Sequence, residues 1–152
     1  MAGLYIHVPF CVKRCVYCDF YSNTDMGYKE RYLSALIHEM EMRRDYLKGE
    51  RVDTVYFGGG TPSQLTADDF ERLFDAIYRL FPISGYPEVT VEANPDDLSV
   101  EYIASLRKLP FNRISIGVQS FNDRELKFLN RRHTAPEAID SICHCKDARL
   151  DN

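Results

Sequence analysis

Four short runs of extended-type sequence, GLYIHV (3–8), RVDTVYF (51–57), EVTVEA (88–93) and RISIGV (113–118), are separated by stretches of helical periodicity, and this alternation leaves few architectures open. From Tyr28 to Lys48 the apolar positions Leu33, Leu36, Ile37, Met40 and Leu47 recur at helical spacing until Gly49 stops the run. Thr66 is placed to cap a second helix whose stripe is Phe70, Leu73, Phe74, Ile77 and Tyr78, ended by Pro82. Ser99 opens a third that Pro110 closes, and NDRE at Asn122 and TAPE at Thr134 each read as a capping box, predicting two short helices more. Strands alternating with helices across short loops imply βαβ units and a parallel sheet, the α/β class. No linker, low-complexity stretch or strict repeat interrupts the 152 residues, so the chain reads as one domain.

The strands carry a second pattern. Parallel strands covered on both faces usually run continuously apolar, yet here Leu4, Ile6 and Val8 alternate with Tyr5 and His7, and Val55 and Phe57 with Thr54 and Tyr56. The third and fourth runs repeat this, setting Thr90, Glu92, Ser115, Gly117 and Gln119 against an apolar set. Helices cover the apolar face, so the polar residues point the other way. In a curved sheet that side is a lumen holding something polar, because an unpaired buried polar group costs about 1–3 kcal/mol. An open sheet with one wet face is the alternative reading.

Charge narrows the partners. With 19 Lys+Arg against 23 Asp+Glu the net charge is −4, which offers no electrostatic footprint for nucleic acid or an anionic membrane surface. The first strand begins almost at once, with no secretory leader pattern, and no apolar run is long enough to span a bilayer. A cytoplasmic location is expected. There the five cysteines stay reduced, and a tight group of them is expected to bind metal or do redox chemistry.

PFCVKRCVYCDFYS (9–22) supplies such a group: Cys11, Cys15 and Cys18 directly follow the first strand, at the sheet edge where α/β barrels place their chemistry. A structural zinc site wants four protein ligands. Cys143 and Cys145 are the only further cysteines, and Cys143 shares a helical stripe with Ile139 and Ile142, which reads as core. Three thiolates on a four-iron cluster would instead leave one iron without a protein ligand, open to a small molecule. Zinc and cluster both stand on the spacing alone.

Four blocks in order, YIHVPFCVKRCVYC, YFGGGTPS, VEANP and RISIGVQSFNDRELKFLNR, resemble the radical S-adenosylmethionine (SAM) superfamily, and within it the oxygen-independent coproporphyrinogen III oxidases and the related haem chaperone. The resemblance runs from about Leu4 to Arg131. It implies a partial (β/α) barrel, TIM-like, that holds a [4Fe-4S] cluster on Cys11, Cys15 and Cys18, with the amino and carboxylate groups of SAM on the open iron. An electron from the cluster then cleaves the sulfonium to methionine and a 5'-deoxyadenosyl radical, the protein supplying binding, orientation and tuning. An electron donor such as a flavodoxin or ferredoxin is implied as partner.

By the same resemblance Tyr17 packs near the adenine, and Gly59, Gly60 and Thr61, within a 58–62 segment that includes Gly58 and Pro62, receive the methionyl amino end. Glu92 pairs with an ammonium, Gln119 suits ribose hydroxyls, Arg131 forks onto the substrate carboxylate, and Tyr5 matches a cofactor-contacting position. His7 is expected to orient the loop, Arg132 to be solvated, and His38, His133 and His144 to have no role at the site. The oxidases tend to carry a further cysteine two positions after the third, where this chain has Asp19 and then Phe20. That departure favours the haem-chaperone branch, which binds haem and passes it to apoproteins, over the decarboxylation of a porphyrinogen.

The chain stops at KDARLDN, where another strand is due. It is therefore expected to be the N-terminal part of a radical SAM core, residues 1–152, with the remaining barrel and any C-terminal domain absent from this chain. Such a piece is expected to be catalytically incomplete and to dimerise through the open edge of its fourth strand.

Overall fold

The computed structural model describes residues 2–150 and 152. Its order is β1 (Ala2–Val8), α1 (Lys29–Arg43), β2 (Val52–Gly59), α2 (Ala67–Leu80), β3 (Ile83–Ala93), α3 (Val100–Leu106), β4 (Arg113–Ile116), α4 (Asp123–Phe128) and α5 (Ala135–Asp147). All four strands pair in parallel in the order β1-β2-β3-β4, the consecutive neighbours that successive βα units produce. This is the parallel α/β sheet that the alternation implied, in the partial-barrel form that the resemblance implied.

Register explains the two faces. Ile6, Phe57, Val91 and Ile114 form one cross-strand row, and Tyr5, Tyr56, Thr90 and Arg113 form the next. Because successive side chains point to opposite faces, the first row meets the helices and the second lines the concave side. Phe57 is fully buried with its ring edge-on to Phe70, Phe74 and Phe111 at 5.3, 5.4 and 5.5 Å, and this aromatic knot seats α2 on the sheet. The polar face is not uniformly open, however. Thr90 is buried and its hydroxyl has no partner among the described residues, while Tyr5 in the same row is 57% exposed.

Several boundaries differ from those read off the sequence. Helix α1 ends at Arg43, and turns carry the chain to Lys48 and Gly49, both at positive φ. Strand β3 begins at Ile83, earlier than its apolar run, and β4 stops at Ile116 because Val118 and Gln119 enter tight turns, Gln119 at φ 65°. Tyr78 is not part of the buried stripe of α2; at 48% exposure it lies on the flank. The box at Thr134 forms with both bonds, whereas Asn122 caps only the Arg124 amide, because Glu125 accepts instead from the Ser120 hydroxyl. Cys143 is exposed, as is Ile139; α5 buries Ala138, Ser141 and Cys145, a face rotated from the expected one. The outer edge of β4, expected to be unpaired, carries one backbone bond, from Ile114 N to Asn152 O (2.9 Å).

Among the described residues no helix is long and apolar enough to cross a membrane. The start of α2 is tied down by charge as well as by its cap. Thr66 Oγ1 accepts from Asp69 N, Thr66 N donates back to Asp69 Oδ2 at 2.9 Å, and Lys29 Nζ on α1 donates to the same oxygen at 2.6 Å. Burial pushes the Asp69 carboxyl up, but Lys29 and the Thr66 bonds outweigh it and hold the group below its ordinary range. A depressed folded value means that this stabilisation is complete above about pH 4 and is lost as the pH falls through the folded value. Asp69→Asn, which keeps the shape and removes the charge, should lower stability by about 1 kcal/mol at pH 7 in thermal or urea unfolding. The gap between variant and natural chain should close at acid pH; a gap unchanged at pH 3 would refute the assignment.

Candidate metal centre

The cysteine loop leaves β1 at Val8 and is closed at its neck by a parallel bridge between Phe10 and Asn23. Cys11 N donates to Asn23 O at 3.0 Å and Asn23 N to Pro9 O at 2.5 Å. Phe10, fully buried edge-on to Tyr32 at 5.4 Å, anchors the loop in the core. Within the loop Arg14 donates to Ser22 O at 2.5 Å and Cys18 N to Cys15 O at 3.2 Å. The turn after α4 grips its far side through Val16 N to Leu129 O at 3.3 Å and Asn130 Nδ2 to Arg14 O at 2.7 Å. His7 ties the loop to its strand as the sequence implied: its Nε2 donates to Tyr21 O at 3.0 Å, its Nδ1 accepts from Tyr5 Oη at 3.3 Å, and the Tyr32 hydroxyl donates to its carbonyl.

The glycine segment at the end of β2 lies directly beneath. Gly60 N donates to Val8 O at 2.8 Å, and a Cβ on Gly60 would stand 2.8 Å from Phe10 O and 2.9 Å from Val8 O. Gly59 has φ 113°, a region that side chains avoid, and a Cβ there would fall 2.5 Å from the His7 ring. Both positions favour glycine, Gly60 because the loop backbone leaves no room for a Cβ and Gly59 because of its positive φ.

Side chains from the other strand ends converge on the same hollow. Glu92 at the end of β3 accepts from Tyr56 Oη at 2.7 Å and from Gly59 N at 3.1 Å, each oxygen held by one donor. Burial first, and then the Glu92 bond, push the Tyr56 hydroxyl up. Arg131, from the turn between α4 and α5, places Nη2 2.6 Å from both Asn94 Oδ1 and Gly117 O and Nη1 3.3 Å from Cys15 Sγ; its Nε is buried without a partner among the described residues. Thr61 donates to Cys11 Sγ at 3.3 Å. Tyr17 stands beside Cys15 and Arg131: burial raises its hydroxyl, the guanidinium opposes, and Cys15 adds to the rise.

Cys11, Cys15, Cys18, Tyr17, Gly59, Gly60, Thr61, Glu92, Gln119 and Arg131 all border one cavity of about 230 Å³. Tyr5 does not. It stacks on Tyr56 at 6.0 Å, and its hydroxyl donates to His7 Nδ1. Among the described residues no three His, Cys, Asp or Glu side chains stand close enough to hold a single metal ion. The three thiols are distributed round the cavity, and two of their sulfurs already accept a hydrogen bond from a hydroxyl or a guanidinium, the environment that suits an anionic iron–sulfur cluster. The donor set therefore fits such a cluster.

Three further residues belong to this region. Asn94 joins Arg131 to Thr61; it lies in the quoted VEANP block, but only the fold shows what it touches. Arg132 is not solvated. It pairs with Asp96 and Asp97, each at 2.9 Å, and is about three-quarters covered. Burial, partly offset by Arg132, pushes the Asp96 carboxyl up. His133, also read as without a role, is buried and its Nε2 donates to Val118 O at 3.0 Å, with burial pushing its pKa down. The adjacent arginines and the Asp96–Asp97 pair were the available signal, since opposite pairs in two loops at strand ends meet if the strands are parallel neighbours.

A profile of the Radical SAM superfamily matches residues 5–152 of this chain. The chain is 42% identical over 149 residues to the heme chaperone HemW of Lactococcus lactis, covering 97% of this chain and 38% of that protein. It is 39% identical over 157 residues to the oxygen-independent coproporphyrinogen-III oxidase-like protein HemZ of Bacillus subtilis, covering 99% of this chain and 31% of the relative. Its fold superposes on that of coproporphyrinogen III oxidase (HemN) from Escherichia coli, a radical SAM enzyme, with a TM-score of 0.87 and 31% identity over 95% of this chain and 34% of that one. The chain thus spans well under half the length of the proteins it matches.

The close approach at Gly60 gives a direct test. Gly60→Ala should displace the cysteine loop, so that anaerobically reconstituted protein retains several-fold less iron, while Gly85→Ala, whose Cβ meets nothing within 4 Å, should retain as much as the natural chain. Equal iron retention in Gly60→Ala would show that the packing does not set the loop.

Proposed function

The chain belongs to the radical SAM superfamily, and from that premise we propose that it is the cluster- and SAM-binding part of a haem chaperone. Membership implies a [4Fe-4S] cluster and SAM. When bound, the cluster supplies an electron to the sulfonium of SAM, and the family's radical chemistry starts there. What carries the reading for this chain is that three thiols from one loop and polar groups from the ends of β2, β3 and β4 surround a single cavity.

In this reading Cys11, Cys15 and Cys18 hold the cluster and leave one iron open. The backbone at 59–61 and the Glu92 carboxylate receive the methionyl ammonium; the carboxylate is already ordered by Tyr56 and Gly59. Arg131 offers a cation for the methionyl carboxylate, and its Nε, without a partner among the described residues, supports that role. Gln119 presents its amide to ribose hydroxyls and Tyr17 its ring to the adenine. A flavodoxin- or ferredoxin-type protein delivers the electron, and the cytoplasm keeps the thiols reduced.

The chaperone branch is supported by the HemW relatives and by Phe20, which stands at the cavity rim, 64% exposed, where the oxidases tend to carry a cysteine. Haem is then the cargo and apoproteins its acceptors. Oxidative decarboxylation of coproporphyrinogen is the second reading, favoured by the fold match to HemN.

Reconstitution without oxygen should give about four iron and four sulfide per chain, and Cys15→Ser should lose most of both. Zinc in place of iron and sulfide would contradict the cluster. Titration with haem in a longer protein that contains this chain should shift the Soret band, with transfer to an added apoprotein; turnover of coproporphyrinogen without any haem-dependent spectral change would select the oxidase instead.

A further inference from the structure

Two of the three cysteine sulfurs are joined by a continuous path of side chains. Arg131 Nη1 donates to Cys15 Sγ at 3.3 Å and its Nη2 to Asn94 Oδ1 at 2.6 Å. Asn94 Nδ2 donates to Thr61 Oγ1 at 3.5 Å, and Thr61 Oγ1 donates to Cys11 Sγ at 3.3 Å. Each link constrains the next. A guanidinium has donors only, so it must face the amide oxygen, and this turns the amide nitrogen toward Thr61. A hydroxyl has one proton, so Thr61, accepting from Asn94, is left to point that proton at the sulfur. Thr61 is 5% exposed, so water cannot easily substitute. The backbone holds Asn94 in place as well: its N–H donates to Ser63 Oγ at 3.3 Å, and that hydroxyl donates to Asp97, the partner of Arg132.

We propose that Asn94 is a positioning residue that sets the reduction potential of the cluster: anchored by Arg131, it polarises Thr61 so that the Thr61 hydroxyl donates to the Cys11 thiolate. The inference rests on the reading of Cys11, Cys15 and Cys18 as cluster ligands and adds a role for two residues that need not touch SAM to exert it. Donors aimed at cluster sulfurs stabilise the more negative, reduced form and raise the potential. Losing the bond to Cys11 therefore lowers it.

The test is an anaerobic redox titration of the reconstituted chain followed by electron paramagnetic resonance, with circular dichroism to confirm folding. Thr61→Val should make the potential more negative, and Thr61→Ser, which keeps the donor, should restore it; Thr61→Ala replaces valine if the methyl group overfills the site. Asn94→Asp supplies the discriminating background. A carboxylate still holds Arg131 but only accepts, so it draws the Thr61 proton away from the sulfur. In the Asn94→Asp chain, Thr61→Val should then have little further effect on the potential. An equal shift from Thr61→Val in both backgrounds, or none in the natural chain, would overturn the role of Asn94 while leaving the cluster assignment standing. A natural chain that takes up no cluster would overturn the underlying reading, and this inference with it.

Discussion

The contact between Gly60 and the backbone of Val8 and Phe10 governs the rest of the site. There is no room for a Cβ between these segments, and the Gly60 amide is spent on the Val8 carbonyl. The cysteine loop is consequently laid over the ends of β1 and β2 and cannot lift off without breaking that bond. The bridge from Phe10 to Asn23 closes the loop, and the turn at Leu129 and Asn130 fixes its far side. A loop of this length would otherwise be mobile; tied at neck and flank, its thiols keep a common cavity.

A second layer of order comes from charge. Arg131 and Arg132 are neighbours with different duties. Arg131 turns inward to Cys15, Asn94 and Gly117, while Arg132 binds Asp96 and Asp97 and so locks the turn after α4 to the loop after β3. Ser63 extends the lock to the loop after β2 through Asp97 and the Asn94 amide. These pairs are largely shielded from water, where a broken partner costs more than at the surface. Three strand ends are thereby held in one arrangement, as a site that must present several groups to one ligand requires.

Much of this was legible in the sequence because it is periodic or local. Alternation within strands showed which face meets the helices, turn residues marked the ends, and the spacing of Cys11, Cys15 and Cys18 marked the loop that borders the cavity. What escaped depends on rotation and on distant partners. The face of α5 was misjudged at Cys143 because Ile139 and Ile142 offered an apolar stripe as plausible as the true one through Ala138, Ser141 and Cys145. Arg132 was read as solvated, as most arginines on a surface are; its carboxylates lie 35 and 36 positions earlier, in the loop after β3. Tyr5 faces the concave side as its parity requires and stacks there on Tyr56.

The central claim is that the cavity holds a cluster with one iron left for SAM. The most direct measurement is the electron paramagnetic resonance spectrum of the reduced, reconstituted chain with and without SAM. A change in g values and line shape on adding SAM, weakened in Arg131→Ala and Glu92→Ala, is the expected result. A reduced cluster whose spectrum SAM leaves unaltered at saturating concentration would contradict the account.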